Sequence, residues 1–178
     1  MYYLTNKGKD FVGRLDEQTL SIEKQPKCSV ALIVMKEKDN KRFILLNKRK
    51  KQPFYGKVGG FTGKLRFGES YEEGARRELL EETGLTGDFK FKGIIRKIAH
   101  KKDENLKTIV QDQLMILFLI TNPIGTLVEN CKESENFWDE YTHIKTRKDV
   151  YNTFFYVLDS ALGKSPVLKE IFEEAKGY

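Results

Sequence analysis

Cysteine is scarce: Cys28 and Cys131 are the only two in 178 residues, too few for a disulfide framework, so a reducing cytoplasmic setting is expected. Proline is scarcer than chance would place it, with 4 residues in all, and neither a Pro-rich nor a Gly/Ser-rich linker interrupts the chain. No internal repeat is present. The longest apolar run, Leu114 to Ile120, is seven residues, far short of the roughly 20 that a membrane-spanning helix needs. No membrane partner is therefore expected. A secretory leader would need a continuous apolar stretch near the start, where Met1 to Asp10 is polar and aromatic.

What the sequence does contain is 39% apolar and 33% charged residues, a balance that excludes intrinsic disorder and can bury a core. Lys and Arg number 32 against 26 Asp and Glu, giving a net charge of +6 and a pI near 9.1. That excess favours acidic ligands, nucleic acid and nucleotides alike. The basic residues cluster at Lys48-Arg49-Lys50-Lys51 and at Arg96-Lys97 with His100-Lys101-Lys102, runs that serve equally well as a solvated face.

Residues 1–26 are polar and weakly patterned and read as an N-terminal appendage; the main domain is expected over 27–178. Cys28 to Met35 is an apolar run of strand length, and the turn pair Asp39-Asn40 joins it to a second run, Arg42 to Leu46, as a buried hairpin. A glycine-rich loop, Gly56 to Gly68, leads to a helix. Strands are expected at Phe89 to Ala99 and at Thr108 to Ile120, the second ended by Asn122-Pro123, with a short strand around Phe137 and Trp138. Helical patterns follow at Lys148 to Leu162 and at Pro166 to Ala175, the latter opened by Ser165 as cap and proline at the first helical position. Interleaved strands and helices define an α/β class with helices on the faces of a mixed sheet. The opening Tyr2-Tyr3-Leu4-Thr5-Asn6-Lys7-Gly8-Lys9 resembles the last wing and exit helix of winged-helix domains over about a dozen residues.

The chemistry is concentrated in Gly63 to Leu85. Ser70 and Glu73 form a capping box that starts a helix at Tyr71, and Gly84 supplies the left-handed cap that ends it. Within the helix, Glu78, Glu81 and Glu82 stand at i, i+3 and i+4 and share one face. Such like charges destabilise an isolated helix unless a cation compensates them, and their hard oxygens suit magnesium or manganese together with substrate phosphates. Taken alone, the three glutamates also fit an acidic surface face paired with lysines.

The full spacing decides between them: Gly63, five residues, Glu69, seven residues, Arg77-Glu78-Leu79, one residue, Glu81-Glu82, one residue, Gly84-Leu85. This resembles the Nudix box at every fixed position. The resemblance implies an α/β/α sandwich on a mixed sheet and metal-dependent hydrolysis of a nucleoside diphosphate linked to another group. It implies metal ligation by Glu78, Glu81 and Glu82, orientation of the catalytic glutamates by Arg77, an outer or metal-linked role for Glu69, and a loop carbonyl at Thr62 or Gly63 as a further ligand. The same resemblance implies a general base that is either a box glutamate, such as Glu78 or Glu82, or a glutamate in a later loop, where Glu133, five residues before Trp138, is favoured because some family members carry a metal-linked glutamate at a similar distance before a tryptophan.

Gly59-Gly60-Phe61-Thr62-Gly63-Lys64 is similar to the loop of the mammalian enzymes that remove oxidised purine nucleotides, with Thr62 in place of a glycine. A purine nucleoside triphosphate, modified or not, cleaved to monophosphate and pyrophosphate, is the expected substrate. Phe61, Trp138 and Tyr151, with Phe54, Tyr55, Tyr141 and Phe154, are candidates to stack its base, and Lys48, Arg49 and Lys64 to contact its phosphates. Two alternatives stay open. One is a ligand-sensing regulatory module, which has no need of the three glutamates; the other is an enzyme of RNA 5′ ends, for which the sequence offers charge but no aromatic RNA-binding motif. Oligomeric state is not legible.

Overall fold

The computed structural model describes residues 3–16, 21–52, 54–102 and 107–174. Tyr2 and Ala175, which bound two of the sequence expectations, lie outside the described residues. The elements run α1 (Asn6–Val12), β1 (Lys27–Lys38), β2 (Lys41–Arg49), β3 (Val58–Gly59), β4 (Phe61–Lys64), α2 (Tyr71–Thr83), β5 (Leu85–Lys102), β6 (Lys107–Gly125), β7 (Ser134–Glu140), α3 (Tyr141–Ile144), α4 (Asn152–Leu162) and β8 (Val167–Glu174). They build one mixed sheet ordered β3-β2-β1-β6-β5-β8, with β4 added on β1 and β7 on β2. The β1–β6 and β5–β8 pairs are parallel and the remaining pairs antiparallel. The expected α/β class is thus met by a sheet with helices on both faces.

Strand periodicity explains why the sheet has two cores. Along β1, Ala31 and Ile33 point to the face covered by α4, while Val30, Leu32 and Val34 point to the face covered by α2. β6 repeats the pattern, with Met115, Leu117 and Leu119 on the first face and Ile116, Phe118 and Ile120 on the second. A strand buried on both sides reads as a continuous apolar run, which is what Val30 to Met35 and Leu114 to Ile120 are.

The hairpin forms where the sequence places it. Asp39 and Asn40 both take positive φ, 52° and 61°, as a tight two-residue turn requires, and Lys38 pairs with Lys41. Two other expectations are corrected. Asn122-Pro123 does not end the second long strand; β6 continues to Gly125. Asn122 adopts φ 50°, its side-chain amide donates to Asp88 Oδ2 at 2.7 Å, and the register shifts between Thr86 and Asp88, so the proline falls where the ladder is already irregular. The segment expected as a helix from Pro166 is strand β8. The open edge of β5 takes its backbone in parallel from Gly93↔Val167 to His100↔Glu174, so Val167 and Ile171 pack on the α4 face while Leu168 and Phe172 stay exposed. Among the described residues, no helix is long and apolar enough to cross a membrane.

Candidate active site

Helix α2 begins as its capping box dictates. Ser70 accepts from the Glu73 N–H, Glu73 accepts from the Ser70 N–H, and Gly84 closes the other end at φ 71°. Ala75 and Leu79 bury the inner face against the sheet, which turns Glu78 and Glu82 towards the loop of β4 and the segment before β7. Gly63 on β4 makes this approach feasible, since a Cβ there would overlap the Glu78 carboxylate.

Arg77 organises the acidic face. Its Nε donates to Glu69 Oε1 at 2.6 Å and its Nη2 to Glu69 Oε2 at 2.9 Å, while Nη1 donates to Glu78 Oε1 at 2.7 Å and to Glu81 Oε2 at 3.2 Å. Nη2 also donates to the Lys64 carbonyl at 3.0 Å, tying α2 to β4. A guanidinium fork is suited to this work, because its donors are planar and always charged. The Arg77 hydrogen bonds, with that from the Arg66 N–H, pull the Glu69 carboxyl down to about 2.

Glu82 is placed differently. Burial pushes its carboxyl up to about 7, and the charges of Glu78 and Glu133 push the same way against nearby Arg49. Its backbone carbonyl is fixed by the buried Asn136, whose amide donates to it and to the Val128 carbonyl, each at 2.8 Å. Asn136 thereby locks the 129–135 segment against α2. Glu133 pairs with Lys51, which lowers its own carboxyl.

Two cavities meet here. One, about 350 Å³, is lined by Phe54, Phe61, Tyr151 and Phe154 among others. The second, about 240 Å³, is a charged cleft bounded by Glu81, Glu82, Lys132 and Glu133. Asn47, Arg49 and Glu82 line both. Phe54 and Tyr151 meet edge to face with centroids 5.5 Å apart.

Of the residues singled out from sequence, Arg49, Phe61, Thr62, Glu82 and Tyr151 line the larger cavity, and Glu81 and Glu133 the smaller. Glu69, Arg77, Glu78 and Gly63 form the adjoining network. Three stand apart. Lys48 alternates out of the cavity face of β2 and lies near Asp149; Lys64 joins the site through its carbonyl; Trp138 packs on the α2 side of the sheet beneath the Lys36 ammonium, 4.0 Å from its ring centre. Strand alternation is the reason in the first case, and the pairing of Trp138 with Leu45 in the last. Asn47, Asn136, Lys97, Gln111 and Gln113 were missed; Lys97 reads only as part of the basic Arg96-Lys97 run and Gln111-Asp112-Gln113 is polar throughout, so neither stretch marks which face meets the cavity.

Among the described residues, no three His, Cys, Asp or Glu side chains converge into a ready-made metal cage, because Arg77 holds Glu78 and Glu81. The donor chemistry nonetheless fits a hard divalent ion. Glu78, Glu81, Glu82 and Glu133 offer only oxygen, and at Glu82 burial, with the charges of Glu78 and Glu133 added to it, raises the carboxyl against nearby Arg49.

Comparison with known proteins agrees with this geometry. The NUDIX domain model matches residues 26–157. The chain belongs to the Nudix domain family. A stretch of 45 residues is 53% identical to the oxidized purine nucleoside triphosphate hydrolase of Danio rerio, covering 25% of this chain and 29% of that protein. The fold is similar to that of a MutT protein from Bacillus halodurans, with a TM-score of 0.69 at 19% identity over 85% of this chain and 93% of the other. It is also similar to the NUDIX domain of Shewanella oneidensis NrtR in complex with ADP ribose, with a TM-score of 0.64 at 15% identity over 89% and 97%.

Proposed function

We propose that this chain is a metal-dependent hydrolase of nucleoside diphosphate derivatives, acting in a reducing cytosol, and that its preferred small substrates are purine nucleoside triphosphates, oxidised ones included. The observation that carries the reading is the junction of an aromatic-lined chamber with a charged cleft at Asn47, Arg49 and Glu82. A nucleoside suits the first space and a polyphosphate the second. The purine preference is supported by the Gly60-Phe61-Thr62-Gly63-Lys64 loop and by the stretch shared with the Danio rerio hydrolase.

Magnesium or manganese, held by Glu78 and Glu82 with Glu81 and a loop carbonyl of Thr62 or Gly63, would polarise the phosphate oxygens and activate water. Arg77 fixes the direction of Glu69, Glu78 and Glu81 before substrate arrives. Arg49 offsets phosphate charge where the two spaces join. Glu82 or Glu133 accepts the proton of the water that attacks phosphorus; the bond from phosphorus to the bridging oxygen breaks, and pyrophosphate leaves. Phe54, Tyr151 and Phe154 hold the nucleoside end.

The test is a product-release assay on GTP, ATP, their 8-oxo forms, ADP-ribose, a dinucleoside polyphosphate and capped RNA, with magnesium, manganese or excess chelator. Purine triphosphates should show the highest kcat/KM among the small nucleotides, and chelation should abolish turnover. A higher kcat/KM for ADP-ribose or the dinucleoside polyphosphate rejects the substrate choice, and full turnover in chelator rejects the metal.

A further inference from the structure

The larger cavity has a polar wall that the hydrolytic chemistry leaves unused. It is formed by Lys97 on β5, Gln111 and Gln113 on β6, and Thr153 on α4. In the sheet, β5 is three strand spacings from β2, about 14 Å, so this wall faces the end of the ligand remote from Arg49.

Its donors are held in a fixed direction. The buried Ser29 hydroxyl donates to the Leu114 carbonyl at 3.3 Å and accepts from Gln113 Nε2 at 2.9 Å. That turns Gln113 Oε1 to Gln111, whose Nε2 donates to it at 2.7 Å. Lys97 Nζ lies 2.9 Å from Glu173 Oε1, and the Thr153 hydroxyl donates to Glu173 Oε2. One carboxylate from β8 thus fastens the wall on two sides. An ammonium has three donors and no acceptor, and Glu173 takes one of them.

We propose that this wall reads the base of the substrate and selects a base that turns a carbonyl oxygen towards Lys97, as guanine and hypoxanthine do where adenine turns an amino group, with Glu173 as the positioning residue. An amino group there would set donor against donor. The proposal rests on reading the cavity as a nucleoside chamber.

The experiment measures equilibrium binding of the α,β-methylene analogues of GTP, ITP and ATP to wild type, Lys97→Met and Glu173→Gln, beside hydrolysis of the parent triphosphates. Wild type should bind the guanine and hypoxanthine analogues about tenfold more tightly than the adenine analogue, and Lys97→Met should erase most of that ratio. Glu173→Gln should reduce the ratio without erasing it, and it reads the same preference if Lys97→Met melts early. Equal affinities in wild type, an adenine preference, an unchanged ratio in both variants, or no binding of any analogue overturns the proposal. A guanine preference in binding with no turnover of any triphosphate would uphold the wall and remove the hydrolase reading; turnover without base preference would do the reverse.

Discussion

At Glu82, burial and the charges of Glu78 and Glu133 outweigh Arg49, so the residue carries unfavourable charge in the folded protein. Glu82→Gln keeps the shape and removes that charge. It should melt no lower than wild type while losing roughly 10²-fold or more in kcat, the usual scale for a missing base or charged ligand. Circular dichroism melts and steady-state rates check both halves; a wild-type rate, or failure to fold, would count against the assignment. Gly63→Ala tests the neighbouring contact. Its Cβ would displace the Glu78 carboxylate, so turnover should fall well below wild type while β4, exposed on one side, still pairs with β1. These residues were legible in the sequence because their spacing follows one helix and one tight loop. Lys97, Gln113 and Glu173 were not, since strand pairing over dozens of residues decides whether they meet.

Among the elements, α2 shows how far local signals reach. Its start, end and buried face all follow from Ser70, Glu73, Leu79 and Gly84, whatever the rest of the chain does. Removing the cap oxygen in Ser70→Ala should therefore lower stability by about 1 kcal/mol. In a domain of this size that is roughly 2–4 °C in Tm, read by a thermal melt, with a loss of several times that counting against the cap as the cause. β8 shows where local signals fail. Ser165-Pro166 and the apolar residues Leu168, Ile171 and Phe172 fit a helix, yet the segment completes the edge of β5 and leaves Leu168 82% and Phe172 66% exposed. The strand aligns Lys169 with Ser160 and Glu173 with Thr153 and Lys97, contacts no helix-start motif encodes. Trp138 lies away from both cavities for a related reason: which face of β7 it occupies depends on register with β2.

On the scale of the whole molecule, several carboxylates are held below their ordinary values by hydrogen-bonded cations, some of them from other strands. Arg147 bonds Asp149, Arg96 on β5 bonds Asp112 on β6, and Lys41 with Thr142 bonds Glu140. A carboxyl whose folded pKa is depressed binds its proton more weakly folded than unfolded. Its stabilising contribution is complete above the ordinary value, 3.8 for Asp and 4.5 for Glu, and is lost as pH falls through the folded value. Glu82 is opposite in sign: its raised carboxyl opposes folding once the unfolded group ionises above 4.5, and it opposes it more fully as pH rises through about 7. Stability without added metal should therefore fall below about pH 4 and also decline from pH 5 to 7, the second limb vanishing in Glu82→Gln. Asp149→Asn should flatten part of the acid limb and leave the other unchanged. Tm measured against pH in chelator for the three proteins checks this, and an acid limb equally steep in Asp149→Asn, or a neutral limb surviving in Glu82→Gln, would assign the titrations elsewhere.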